Sequence, residues 1–179
     1  SNLREFTLEV SIAPNGPLVG KTIEQAGLRH LQRVYLVEID RNGTAITVVS
    51  PEEVLQGNDR LVFAGDTDAI SDLLRINGIV PSTEEEQIQT FTIKHTERCL
   101  VEAVVSPHCT ALGYAIRDSR FRARYGAAVL AVARNGERIK GNLGSIILQA
   151  GDTLLLEARP AFVSRQRYNK DFLLVNDLN

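Results

Sequence analysis

Hydrophobic positions along this chain gather in short runs, "FTLEVSIA", "RVYLVEID", "RLVFAG", "CLVEAVVS", "AAVLAVAR" and "TLLLEA", separated by Gly, Pro and Asn. Runs of six to eight residues rich in β-branched side chains and bounded by turn formers predict strands. "RVYLVEID" and "AAVLAVAR" are nearly continuous in apolar character, as a central strand requires. Each is followed by Asn-Gly, at Asn42-Gly43 and Asn135-Gly136. That dipeptide tolerates the positive φ of a tight hairpin, so a further strand should return antiparallel. Between the first two runs of each half, "VGKTIEQAGL" and "LGYAIRDSRF" predict short helices, the former stopped by Gly27. "TDAISDLLRI" sets Ile70, Leu73 and Leu74 on one helical face, with Thr67 or Asp68 as N-cap.

The pattern is said twice. "VLQGNDRLVFAG" (54–65) returns as "ILQAGDTLLLEA" (147–158), a shift of 93. The same shift superposes Glu9 on Glu102, Pro14 on Pro107, Gly20 on Gly113, Arg29 on Arg122, and Arg41-Asn42-Gly43 on Arg134-Asn135-Gly136. Over residues 8–65 it gives 13 identities without a gap, where chance would give roughly three or four. This period is too long for a solenoid unit and fits a duplicated small domain. The terminal helices diverge: Leu73 and Leu74 correspond to Gln166 and Arg167, so the second is expected to lose its apolar stripe. Pro81, Ser82 and Glu84–Glu86 carry turn and solvation signals. The expected organisation is lobe 1 over 3–78, a linker over 79–91, lobe 2 over 92–167, and a tail over 168–179 that packs on the body or leads toward the rest of a longer parent.

Composition adds limits. The 179 residues are 44% hydrophobic and 23% charged, ordinary for a packed globular protein. A formal charge of −2 supplies no basic field for nucleic acid, and none is expected as a partner. No apolar run approaches the ~18 residues of a membrane span. The chain lacks Met and opens on Ser1-Asn2, which reads as a piece of a longer protein behind a tag remnant.

Two such phrases, with "VGKTI", a strand ending "RNG" and "LQAGDTLLL", resemble the RCK C-terminal (TrkA-C) domain over most of both copies. The first copy departs from the usual Gly-Asp with Asn58-Asp59. The pair is similar to the cytosolic insert of bacterial divalent-anion:sodium symporters. The resemblance implies an α+β fold of two tandem lobes, each a small, mostly antiparallel sheet with flanking short helices. It also implies a non-enzymatic regulatory module on the cytoplasmic side of the bacterial inner membrane. That module would be joined to the transmembrane domain of its transporter and would dimerise as a homo-oligomer. No cofactor is required under this reading; a nucleotide or cyclic dinucleotide is the implied class of effector.

The chemistry-bearing residues are arginines. "RDSRFRARYG" holds Arg120, Arg122 and Arg124, and Arg29, the counterpart of Arg122, lies near Arg33. Guanidinium groups suit a phosphate or carboxylate because they bind it bidentately. These five residues are the candidate ligand site, against the plainer reading of solvated helix-end and loop arginines. Asp59 and Asp152 are read as turn residues that hydrogen-bond backbone amides before the last strand. His30, His95 and His108 occupy non-equivalent positions and form no metal spacing. Cys99 and Cys109 read as reduced thiols, and no nucleophile–base pair recurs in both copies. A ligand-sensing module of a transporter is therefore the leading expectation; a purely structural dimerisation module is the alternative.

Overall fold

A computed structural model describes residues 5–82 and 99–178. The chain divides into two compact units, Ser1–Ser82 and Thr83–Asn179. In the first, β1 (Glu5–Ile12), β2 (Val34–Arg41), β3 (Thr44–Ile46), β4 (Arg60–Asp66) and β5 (Ile79–Pro81) form one antiparallel sheet in the order β3-β2-β4-β1-β5. In the second, β6 (Cys99–Val105), β7 (Ala127–Arg134), β8 (Glu137–Arg138), β9 (Thr153–Ala158) and β10 (Phe172–Asp177) repeat it as β8-β7-β9-β6-β10.

The duplication reaches the backbone. β2 bulges at Val37 and β7 at Leu130, positions 93 apart. Thr22 bridges Val54 as Ala115 bridges Ile147. Both Asn-Gly pairs have positive φ and close hairpins, Arg41 facing Thr44 and Arg134 facing Glu137. Asn58 (φ 69°) and Gly151 (φ 91°) share the left-handed turn before the last long strand, which explains why the first copy tolerates Asn where the second has Gly.

Each core lies on one face of its sheet. In lobe 1 Leu8 faces Phe63 and Val10 faces Leu61, and all four are fully buried. Leu73 and Leu74 of α1 (Thr67–Leu74) are buried too; the Thr67 or Asp68 cap and the stripe position Ile70 fall outside the described side chains. In lobe 2 Val101 and Val129 flank Leu156, while Ala103 and Val132 flank Leu154. Over them pack α2 (Phe121–Tyr125) and α3 (Pro160–Gln166). Phe172 of β10 contacts Phe121 and Tyr125 of α2 and Phe162 of α3, with ring centroids 6.4, 5.1 and 5.8 Å away.

Four expectations change. "VGKTIEQAGL" is not a helix: Thr22 and Gln25 cap each other reciprocally, Ala26 N–H reaches Thr22 O, and Gly27 (φ 76°) ends the single turn. Its counterpart forms one 3-10 turn, Ile116–Asp118, and then α2. Ile79–Pro81, read as the start of the linker, is strand β5, and shifting it by 93 lands on β10, so the tail is the fifth strand of lobe 2. α3 keeps a buried side through Phe162 and Val163, because its apolar positions moved back one turn from Gln166. Finally, β2 is not covered on both faces: Tyr35 is 67% and Val37 44% exposed, whereas their counterparts Ala128 and Leu130 are buried.

Candidate functional site

The repeated phrase closes on an ion pair. Asp59, buried in the turn before β4, accepts Arg41 Nε at 2.9 Å and Arg41 Nη2 at 2.8 Å, and also the Gln56 amide at 2.9 Å. Asp152 does the same with Arg134 Nε (2.8 Å), Nη2 (2.9 Å) and the Gln149 amide (2.8 Å). The backbone contact matches the turn role read from the sequence. The bidentate arginine at the end of the preceding hairpin strand was missed, although both partners were among the identities under the shift. Each arginine also donates to the loop, Arg41 to Val54 O and Arg134 to Ile147 O. The hydrogen-bonded carboxylate pushes Arg41 further toward its protonated form, against the opposing effect of burial. Lobe 1 adds Glu53, 3.1 Å from Arg41 Nη1, where lobe 2 has Ile146. The clamp thus fixes the 47–58 loop, and this loop walls a cavity.

That cavity, about 230 Å³, lies in lobe 1. Ile23, Leu28 and Val34 give it an apolar floor, and Arg29, Tyr35 and Pro51 stand around it. The turn ended by Gly27 supplies Leu28 inward and Arg29 outward, while Tyr35 projects from the uncovered face of β2. Beside it, His30 Nε2 meets Glu24 Oε2 at 2.5 Å. An exposed aromatic ring, a guanidinium and an apolar floor can hold a flat group bearing an anion. In lobe 2 the equivalent positions are occupied differently. Ala128 is buried, and the Arg117 guanidinium lies 3.3 Å from where a Cβ would stand on Gly144, the counterpart of Pro51.

Of the five candidate arginines, only Arg29 lines this cavity. Arg33, at φ 62°, pairs with Asp66 at 3.6 Å. Arg120 (φ 55°) precedes α2, Arg124 donates from Nε to Ser119 O, and the backbone carbonyl of Arg122 accepts the Gly126 amide. Arg33 and Arg120 occupy left-handed positions where the other copy has Gly126 and Gly27, so their backbones are set by the turn and not by a ligand. Tyr35 and Pro51 were missed; the signal available was an aromatic residue in β2 where the second copy carries alanine.

Gly20 N–H donates to Leu55 O, a backbone role. Cys99 and Cys109 are free and buried, Cys109 Sγ lying 3.5 Å from the Tyr125 hydroxyl. His95 lies outside the described residues. Among the described residues no group of three His, Cys, Asp or Glu side chains could hold a metal ion.

Comparison with known proteins identifies the duplicated unit. The TrkA-C domain matches residues 7–78 and again 100–165. The chain belongs to the TrkA-C domain family. A Chlamydomonas reinhardtii protein named as a sulfur deprivation response regulator is 38% identical over 180 residues, covering 97% of this chain and 31% of its own. Sodium/sulfate cotransporter 1 of the same alga is 32% identical over 173 residues, covering 96% of this chain and 20% of its own. The TrkA-C pair therefore spans about a third or less of the length of these relatives. Among solved structures, the RCK_C domain dimer of S. agalactiae BusR in complex with c-di-AMP is 24% identical, with a TM-score of 0.34, over 40% of this chain and 91% of that one. Among the described residues no helix is long and apolar enough to cross a membrane.

Proposed function

We propose that this TrkA-C pair is a ligand-sensing regulatory module of a membrane anion transporter. It sits on the cytosolic face, is joined to the transporter's transmembrane domain, and works as a homo-oligomer without catalysing a reaction. The lobe 1 cavity carries the proposal. Arg29 offers a fork for an anionic group and Tyr35 a face for a planar ring, a combination that a nucleotide or cyclic dinucleotide satisfies. The 47–58 loop forms one wall of the cavity, and Arg41 links that wall to the hairpin end of β2. A ligand that prefers one arrangement of that wall biases the protein, and it can do so only by its difference in affinity between the two arrangements. Similarity to a sodium/sulfate cotransporter supports the transporter context.

A thermal-shift screen against cyclic di-AMP, ATP, ADP, NAD, sulfate, citrate and aspartate tests this. A ligand at about a hundred times its Kd adds ~2.7 kcal/mol, a rise of about 10–20 °C for lobes of this size. A hit abolished by Arg29→Ala supports the sensor. Silence across the panel together with a dimer by light scattering favours the assembly module, for which the exposed Tyr35 and Val37 of β2 are the relevant surface.

A further inference from the structure

The small net charge conceals an uneven distribution. Residues 1–82 hold 7 Lys and Arg against 11 Asp and Glu, whereas residues 99–179 hold 11 against 7. In lobe 1 the charges are largely spent on one another: Arg41 with Asp59 and Glu53, Arg60 with Asp40, Arg33 with Asp66, and Arg75 with Asp72. In lobe 2 they are not. Arg120, Arg124, Arg159, Arg165, Arg167 and Lys170 are all exposed, and none has an ion-pair partner among the described residues.

All six lie on α2, on α3 or within four residues of their ends. α2 and α3 both contact Phe172, and the Arg165 guanidinium lies 3.7 Å from where a Cβ would stand on Gly126, the cap of α2, which brings Arg165 of α3 to the end of α2 that carries Arg124. The segments that present them, "SRFRARYG" and "RPAFVSRQRYNK", contain no acidic residue; of the carboxylates that adjoin them, Asp118 is exposed and Asp171 buried. Tyr168, 91% exposed, stands among them. The corresponding helix of lobe 1 lies in "DTDAISDLLRIN", which is acidic, so the basic character belongs to lobe 2 and not to the fold.

We propose that the α2–α3 face of lobe 2 docks on the anionic headgroups of a phospholipid bilayer. Unpaired guanidinium groups meet phosphate bidentately, and an exposed Tyr suits the interfacial zone, where its ring and hydroxyl find apolar and wet surroundings together. Glu9, Asp40, Glu53, Asp59 and Asp66 of lobe 1 are held by its own arginines, which leaves a second copy of this chain fewer free carboxylates than its composition suggests, whereas a bilayer presents phosphates across the whole face. The inference rests on the transporter reading only for the presence of a nearby membrane, and its test needs no effector.

The test is co-sedimentation with phosphatidylcholine vesicles, with and without about 30% phosphatidylglycerol, at low and physiological salt. The expected result is binding to the anionic vesicles alone, weakened by salt. Each basic group near such a surface contributes ~1 kcal/mol, about fivefold, so Arg124→Gln/Arg165→Gln should lower partitioning about thirtyfold. Lys21→Gln/Arg75→Gln, the same loss of charge from lobe 1, should change it much less. Both pairs are exposed, so matching melting curves establish that the folds are intact. Absence of binding, equal binding to neutral vesicles, or equal losses in the two double variants overturns the proposal. So does salt-sensitive self-association that Arg124→Gln/Arg165→Gln abolishes, since the face would then serve a second copy. Failure here with a positive ligand screen leaves the sensor standing, and the reverse leaves the docking face standing.

Discussion

Replacing Asp152 by alanine removes the acceptor on which three donors of lobe 2 converge. The carboxylate is 1% exposed and accepts Arg134 twice and the Gln149 amide once, at 2.8–2.9 Å. Arg134 is 30% exposed, so its guanidinium recovers water when the partner is lost and the ion-pair share is discounted accordingly. The Gln149 amide is left without its acceptor, at a cost of ~1–3 kcal/mol, and the lost charge-assisted bonds add ~1 kcal/mol after the discount. The expected destabilisation is ~3 kcal/mol, confined to lobe 2; Asp59→Ala should act likewise on lobe 1 alone. Urea unfolding followed by intrinsic tyrosine fluorescence and by far-UV circular dichroism, with Arg134→Ala and the double variant completing a cycle, measures both the loss and the coupling. A cost for Asp152→Ala below ~0.5 kcal/mol, or a coupling indistinguishable from zero, would refute the clamp as a stabilising element.

Three further outcomes follow from the same geometry. Gly151→Ala forces a side chain into a left-handed turn and should cost ~1 kcal/mol, whereas Asn58→Gly at the equivalent turn should stay within about half of that; equal effects in chemical denaturation would contradict the shared turn. Burial raises the Glu102 carboxyl above its ordinary value, opposed by a hydrogen bond from Asn176. The folded state therefore holds this proton better than the unfolded chain, so its contribution is present at low pH and is lost as pH rises through the raised value. Glu102→Gln should accordingly melt higher than the parent at about pH 7 and together with it near pH 4, and a gap that widens on acidification would be wrong in sign. Burial likewise pushes the Cys99 thiol up to about 11, helped by Asp177 and Glu157, so a thiol reagent should label native Cys99 far more slowly than the unfolded chain; comparable rates would contradict its burial.

Much of the fold was legible because strand-length apolar runs and Asn-Gly turns are local signals, and the duplication allowed each to be checked against its copy. The short fifth strands were not. Ile79–Pro81 is three residues long beside turn formers, and β10 could be recognised as its copy only by carrying the shift past the diverged helices. "VGKTIEQAGL" misled because its capping pair is a genuine helix-start signal that Gly27 ends after one turn. The arginine pattern identified Arg29 but could not separate it from Arg33 and Arg120, whose places are decided by backbone turns. Tyr35 escaped because a strand run does not reveal which of its faces is left uncovered.

Isothermal titration with the strongest ligand from the thermal-shift panel, using the parent chain, Arg29→Ala, Tyr35→Ala and Arg122→Ala, addresses the sensor directly. The account predicts one ligand per chain, abolished or weakened at least tenfold by Arg29→Ala and Tyr35→Ala and retained by Arg122→Ala, because Arg29 and Tyr35 line the lobe 1 cavity. Binding that survives both lobe 1 substitutions, or is lost with Arg122→Ala alone, would contradict it.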